Sequence, residues 1–543
     1  MTDIAPRADL GSHEVINQPL PREGGDLWAA DIVLREAAQA AGARTGALER
    51  AGRVYGSPEI LEAAHDARRD PPRLKLFSRS GHRLDEVAFH PGYHTCMAAG
   101  IDLGYASAAW DGQPGGHATH AALCYMQYQV EPGVACPLTM TYAAVPALRA
   151  DPALAETWIP KLTSPVYDPS VRPVSEKAGA TMGMAMTEKQ GGSDVRANTT
   201  RAERDGDGYI LNGHKWFCSA PMSDGFLTLA YAKGGLSCFV VPRWLGDGQR
   251  NGIRIQRLKD KMGDRANASS EIEYWDARAF RLGEEGQGVR TIIEMVHHTR
   301  LDTAMAPAGL MRAALAEAHW WVSHRSAFQR RLIDQPLMRA VLADLALDWE
   351  ASVAAGFLVA RAFDRADDEG RALARIAVAL NKYLSNKRCI DVVAEAMEVL
   401  GGMGYVEETP MPMLYRQAPL NSIWEGSGNV ICLDVLRAMA RSPESVDAVM
   451  VELDAAAGAD VRLDAAVKRL RLELGSDPAE LETQARRFVE QLAVCFQASL
   501  LVRFAPSAVA DAYCASRLDG AGVFGTLPRG VDTAPIIERH MPA

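Results

Sequence analysis

Between residues 28 and 41, and again between 117 and 130, apolar side chains recur at spacings of three and four, the period of a helix with one face in a core. Pro and Gly breaks separate such runs up to about residue 180, which predicts a helical, loop-rich region. The texture then changes. Short segments rich in β-branched and aromatic residues follow one another between Gly, Asp, Asn and Pro: GYILNG (208–213), FLTLAYA (226–232), LSCFVVP (236–242), GIRIQRL (252–258) and EIEYW (271–275). Their spacing predicts a small antiparallel β-domain. Helical periodicity returns in the stretches 301–325, 336–366 and 371–400, long enough for an up-down four-helix bundle. After the break RSPESV, amphipathic runs at 445–456, 460–473 and 478–503 predict one more helical unit. The expected fold class is α+β and mainly α: an N-terminal helical domain over 1–180, an antiparallel β-domain over 181–282, a bundle over 283–444 and a C-terminal helical domain over 445–543.

Composition narrows the field without choosing a function. At 543 residues and 48% hydrophobic content the chain exceeds what one core organises, so roughly two to four packed units are expected. A formal charge of −10 argues against broad attraction to phosphate backbones. The nine cysteines are scattered, odd in number and free of C-x-x-C spacing, which suggests neither a disulfide framework nor a metal site. The N-terminus lacks the basic start and apolar run of a secretory signal, and no segment is suited to span a bilayer, so a cytoplasmic location is expected.

Three segments carry chemistry. In GMAMTEKQGGSDV (183–195), Thr187 and Ser193 offer hydroxyls and Gly191 and Gly192 allow close approach of the backbone to a ligand; a tight surface turn is the plain alternative. In GHKWFCSAP (213–221), Trp216, Phe217 and Ser219 could supply a stacking wall and a hydrogen bond for a flat heteroaromatic ring, although Trp216 and Phe217 could equally be core. In NSIWEGSGN (421–429), Glu425 stands between Trp424 and Gly426, where partial desolvation would raise its pKa and suit it to act on a carbon acid; a capping carboxylate in a helix N-terminal turn is the other reading.

Together these segments resemble the acyl-CoA dehydrogenase family, in which a MTE-x-x-x-GSD turn, a lysine-plus-aromatics segment and a [YW]-E-G-[TS] motif occur in this order. HRSAF (324–328) with Gln335 and EVLGGMGY (398–405) are similar to further family stretches. The resemblance implies an FAD cofactor and α,β-dehydrogenation of an acyl-CoA, with Glu425 as the base. It implies that backbone groups around Met184, Met186, Thr187, Gly192, Ser193, Phe217, Cys218 and Ser219 hold the flavin, with Thr187 and Ser219 bonding to its polar edge, that Ile423, Trp424, Ser427 and Asn429 close the site, that Arg325, Phe328 and Gln335 reach the FAD of an adjacent subunit in a homotetramer, and that Gly402 also binds the cofactor. Ser193, Arg300 and Arg437 are implied on the substrate side, with Arg437 placed to pair with Glu425 and weaken it as a base. No metal is implied. Glu398 stands where the family usually has Gln, His297 replaces an acidic residue, and Trp424 is bulkier than the usual Tyr.

The long C-terminal extension and the wording WEGSGN are similar to a branch of the family tied to protection of DNA from alkylation, which implies double-stranded DNA as a partner. Residues 441–543 hold 11 Lys plus Arg against 15 Asp plus Glu, so the candidate contact shrinks to one cluster, Arg462, Lys468, Arg469 and Arg471. A solvated helix face is the plainer reading of such a run. The alternative for the whole chain is an ordinary dehydrogenase of lipid or amino-acid breakdown whose C-terminal domain serves oligomerisation only.

Overall fold

Helices Gly116–Val130 and Pro132–Leu148 are buried on nearly every side, because most of their side chains are small or apolar and neither carries an Asp, Glu, Lys or Arg. They pack on Gly288–His324, itself buried through its middle turns, and Pro336–Asp364 and Asp368–Val399 complete the central helical layer. The computed structural model describes residues 11–520 and 522–540; residues 1–10 and 541–543, at the two ends of the expected domains, lie outside the described residues. No helix among these is long and apolar enough to cross a membrane. All nine cysteines are free and buried.

The β-domain is larger and less regular than expected. Seven strands run in the order Met182–Ala185, Gly225–Ala232, Arg201–Asp205, Gly208–Ser219, Ser269–Leu282, Gly235–Pro242, with Ile253–Leu258 paired to Ser269–Leu282. Gly225–Ala232 also pairs with Gly235–Pro242. The sheet is mixed rather than antiparallel, since Met182–Ala185 runs parallel to Gly225–Ala232. Parallel neighbours are distant in sequence and leave no hairpin signal. A hairpin, Arg73–Phe77 with Arg83–Ala88, interrupts the helical N-terminal region. It belongs with the β-domain: Asp85 accepts the Ile255 amide at 2.8 Å, and Arg83 donates to the Ile255 carbonyl at 2.9 Å.

Glu188 fixes the MTEKQGGSD loop to the sheet. Its carboxylate accepts from Lys215 Nζ (2.9 Å), the Thr200 hydroxyl (2.6 Å) and the amides of Thr199 and Thr200, with neither side chain of the Glu188–Lys215 pair reaching solvent. Burial opposes the charge on Glu188, but Lys215 and these donors hold its pKa down to about 2.

The last hundred residues pack directly on the bundle. Ala485–Phe504 lies against Pro336–Asp364 and Asp368–Val399. Arg517, at the end of Ser507–Arg517, is buried between Asp344 (2.6 Å) and Asp348 (3.0 Å). The helix Thr533–His540 then folds back, and Arg539 donates to Glu350 at 2.9 Å.

Two predictions follow from these buried pairs. Arg517→Met removes the cation bonded to both Asp344 and Asp348, leaving Asp348 only Arg388 at 3.9 Å and Asp344 only the Gly525 amide, and should cost about 3–5 kcal/mol, measured as a lowered denaturation midpoint. Glu188 has a depressed folded pKa, so its contribution is complete above the ordinary value of 4.5 and is lost as the pH falls towards 2. Lys215→Met removes the main partner and should move the acid-unfolding midpoint, followed by circular dichroism, to higher pH.

Candidate active site

The loop between Leu420–Ser422 and Gly428–Arg441 turns sharply at Glu425, whose φ is +58°, followed by Gly426 at +105°. The left-handed region costs a side-chain-bearing residue about 1–2 kcal/mol. Gly426 answers to the same geometry, because a Cβ there would also crowd Ile431 at 3.0 Å. Neighbouring groups hold the turn. Arg300 Nε donates to the Glu425 carbonyl (3.2 Å), and Lys382 Nζ donates to the carbonyls of Asn421 (3.0 Å) and Gly426 (2.8 Å). Trp424 is fixed by its indole N–H to Asn421 Oδ1 at 2.7 Å.

The Glu425 carboxylate is half-buried and accepts from the Thr299 hydroxyl at 2.8 Å. Burial pushes its pKa above the usual carboxylate range, while Thr299, Arg300 and Lys382 oppose that rise without reversing it. Lys382 is itself buried, and desolvation pulls its pKa down to about 7 against the attraction of Glu425. Thr299 Oγ1 also lies 3.0 Å from the Val296 carbonyl, so its single proton can turn to Glu425 when that group is ionised and to the helix when it is not.

Arg437 does not pair with Glu425. It is exposed and lies 3.6 Å from Asp434, three residues earlier on its own helix. Asp434 is the shared counter-ion of the region, accepting also from Arg300 (2.8 Å) and Arg375 (2.9 Å). These arginines hold its carboxyl below the usual range against the effect of burial. Arg300, offered as a substrate contact, is thus buried and engaged by Asp434 and the Glu425 carbonyl.

The three motif segments are linked. The Trp216 amide donates to the Thr187 carbonyl at 2.8 Å, tying the second segment to the first. Met182, at the start of the strand bearing Met184, donates its amide to Thr141 on Pro132–Leu148. The same helix carries Cys136, whose pKa is raised by burial with a contribution from the charge of Glu425. Met184, Met186 and Trp424 pack against one hydrophobic core, while Gly192 and Ser193 are exposed. The surroundings fit a flat aromatic group with polar edges. Phe217 and Ile423 leave apolar surface open at 49% and 64% exposure, and the buried Ser422 Oγ and Asn421 Nδ2 have no hydrogen-bond partner among the described residues. Ser219 Oγ is half-buried beside Ser269 Oγ at 2.9 Å.

The other residues named from the sequence take the following positions. The Cys218 side chain is fully buried in the core of the β-domain, and its carbonyl is taken by Ser270 Oγ at 3.0 Å, so strand alternation turns its thiol away from Phe217 and Ser219. Trp216 has Lys259 Nζ 3.2 Å from its ring centroid, which makes it a cation platform rather than core. Ser427 caps Gly428–Arg441 without a side-chain bond, and Asn429 is exposed in the first turn. Arg325, Phe328 and Gln335 sit around the hairpin Ser326–Ala327/Arg330–Arg331: Arg325 donates to the Asn17 carbonyl, Gln335 to the Ala327 carbonyl, and Phe328 is 94% exposed at the tip with φ of +53°. Gly402 is exposed in the short turn Gly401–Tyr405. A cleft of about 800 Å3 opens elsewhere, between the segment around Leu20 and the stretch Met403–Gln417, and Glu425 is not among its walls.

The C-terminal cations are largely neutralised. Arg462 pairs with Asp460 and Asp511, Arg469 with Asp519 at 3.1 Å and Arg471 with Asp454, which leaves Lys468 exposed among balanced charges.

Thr299, Lys382, Asp434 and Arg375 escaped the motif reading. The signals were a hydroxyl one residue before Arg300, and a lysine and an aspartate at apolar-face positions of VALNKYL and VICLDVL.

Comparison with known proteins agrees with this architecture. Residues 17–169 match the family described as "Adaptive response protein AidB N-terminal domain", residues 183–277 the acyl-CoA dehydrogenase middle domain, and residues 286–440 its C-terminal domain. The chain is 44% identical to the "Putative acyl-CoA dehydrogenase AidB" of Escherichia coli K12, over 94% of this chain and 95% of that protein. It is 31% identical to acyl-CoA dehydrogenase family member 11 of Caenorhabditis elegans, over 70% of this chain and 64% of that one. A solved structure of C. elegans ACDH-11 in complex with C11-CoA superposes with a TM-score of 0.83 at 27% identity, covering 94% of this chain and 95% of that one. This chain belongs to the acyl-CoA dehydrogenase family of FAD-dependent oxidoreductases.

Proposed function

We propose that the chain removes hydrogen from the α and β carbons of an acyl-CoA, with Glu425 as the base that takes the α-proton. The observation that carries this reading is the Glu425 carboxylate itself: half-buried, raised in pKa, oriented by Thr299, and held in a strained turn that no core-packing role requires. When bound, FAD supplies the acceptor for the hydride leaving the β-carbon. Met184, Met186, Thr187, Phe217, Ser219, Ile423 and Trp424 are the residues proposed to hold it, and the exposed Phe328 is proposed to reach a neighbouring subunit of a homotetramer. A thioester α-proton is too weakly acidic for a carboxylate unless its carbonyl is polarised. The Glu425 backbone N–H is proposed to be one donor to that oxygen, an effect on the order of 3 kcal/mol per donor at such sites.

The expectation that Glu425 is weakened as a base rested on an Arg437–Glu425 pair. With Arg437 on Asp434, that ground for a weakened base is gone. A role in protecting DNA from alkylation remains a second reading, motivated by the match to the AidB N-terminal domain. Its proposed partner is double-stranded DNA. The helix Val461–Glu473 is a poor candidate for the contact, because its guanidinium groups already have carboxylate partners.

In stopped-flow anaerobic mixing with a panel of acyl-CoAs, Glu425→Gln should slow flavin bleaching about 10²–10⁴-fold. If no acyl-CoA bleaches the wild-type flavin, the reading fails. The rate should rise with pH along a limb whose midpoint lies above the ordinary 4.5, since only the ionised carboxylate accepts a proton. Thr299→Val removes a donor to that ionised form and should move the midpoint up by about one pH unit. For the second reading, a duplex-DNA gel shift should be unchanged by charge-reversal of Lys468, Arg469 and Arg471 together; its loss in that variant would restore this helix as the contact.

A further inference from the structure

Lys382 belongs to no motif, yet it is 2% exposed in the middle of Asp368–Val399, and an ammonium group is rarely buried without a task. Its contacts in the region are two backbone carbonyls, Asn421 at 3.0 Å and Gly426 at 2.8 Å, on either side of the one residue of this loop that bears a side chain at positive φ. Arg300 takes the carbonyl between them, that of Glu425, at 3.2 Å. Arg300 is balanced by Asp434 at 2.8 Å, whereas no carboxylate lies within ion-pair distance of Lys382 among the described residues. An ammonium without a paired carboxylate gains most by binding carbonyl dipoles.

We propose that Lys382 is the positioning residue of the site: a clasp that holds the backbone of residues 421–426 in its left-handed turn and so aims the Glu425 carboxylate. This rests on the reading of Glu425 as the base only for its consequence in catalysis; the mechanical claim concerns the loop alone. The clasp differs from a simple charge partner of Glu425. A charge partner would matter because Glu425 is negative. A clasp matters because position 425 is strained, whatever its charge.

A double-mutant cycle on the FAD-loaded protein separates the two. Lys382→Met should lower the thermal midpoint equally in the wild-type background and in Glu425→Gln, which removes the charge but keeps a side chain at positive φ. In Glu425→Gly, which adopts that φ freely, the same change should lower the midpoint by less than half as much. If the effect of Lys382→Met disappears already in Glu425→Gln, or persists undiminished in Glu425→Gly, the clasp is wrong. Should Lys382→Met not accumulate as folded protein, Lys382→Arg, which keeps the charge and displaces the donors, carries the same cycle. In kinetics, Lys382→Met should slow flavin reduction at least tenfold at saturating acyl-CoA with little change in the half-saturating concentration, and Lys382→Arg should recover part of the rate. A wild-type flavin that no acyl-CoA bleaches would defeat the dehydrogenase reading while leaving the stability cycle to decide the clasp.

Discussion

A glutamate held in left-handed backbone is the constraint on which the site depends. The conformation is unfavourable for any residue with a Cβ, and it persists because groups from two helices, Arg300 on Gly288–His324 and Lys382 on Asp368–Val399, occupy the carbonyls around it. Those helices therefore do more than enclose a core. Their rigidity is transmitted to a loop that would otherwise relax, and Thr299, one residue from Arg300, uses the same helix to orient the carboxylate.

Buried charge is distributed by one rule through the molecule. Glu188 is satisfied by Lys215 and hydrogen-bond donors, Arg517 by Asp344 and Asp348, and Arg300 by Asp434, each pair joining elements far apart in sequence. Such pairs contribute little net stability against an apolar alternative but cost heavily when broken. Here each one registers a functional or connecting segment on its support: the MTEKQGGSD loop on the sheet, the C-terminal helices on the bundle, and the Glu425 loop on the central helix. Glu425 and Lys382 stand outside that rule: the carboxylate has a single hydroxyl donor and its pKa is raised by burial, and the ammonium is held by carbonyls alone.

The periodicity of the helical stretches was legible because long amphipathic or uniformly apolar runs have few competing conformations. The five expected strands were all found, four within longer strands and the fifth, 252–258, one residue longer than the observed Ile253–Leu258. The two missed strands of the sheet, Met182–Ala185 and Arg201–Asp205, are short, and the latter is almost wholly polar, so neither alternation nor hydrophobicity marked it. Of the site, Glu425, the Thr187 loop and the Phe217–Ser219 strand were visible as clustered polar, aromatic and glycine residues. The inward turn of the Cys218 side chain follows from the alternation that sends every second side chain of a strand into the core, which a motif read letter by letter does not show.

What the amino-acid order determined by itself was local: which stretches coil, which extend, where glycine permits a turn, and which carboxylate stands in apolar company. Whether that carboxylate is paired was decided only by tertiary structure. Arg437 and Lys382 are both cations of the bundle region, one 12 residues from Glu425 and the other 43, and the family resemblance pointed to the first. Packing decided otherwise. Arg437 faces outward and meets Asp434 on its own helix, while Lys382 points into the interface and meets the carbonyls of the loop. Electrostatic partnership depends on distance and burial in three dimensions, and neither quantity is written in the spacing of residues along the chain.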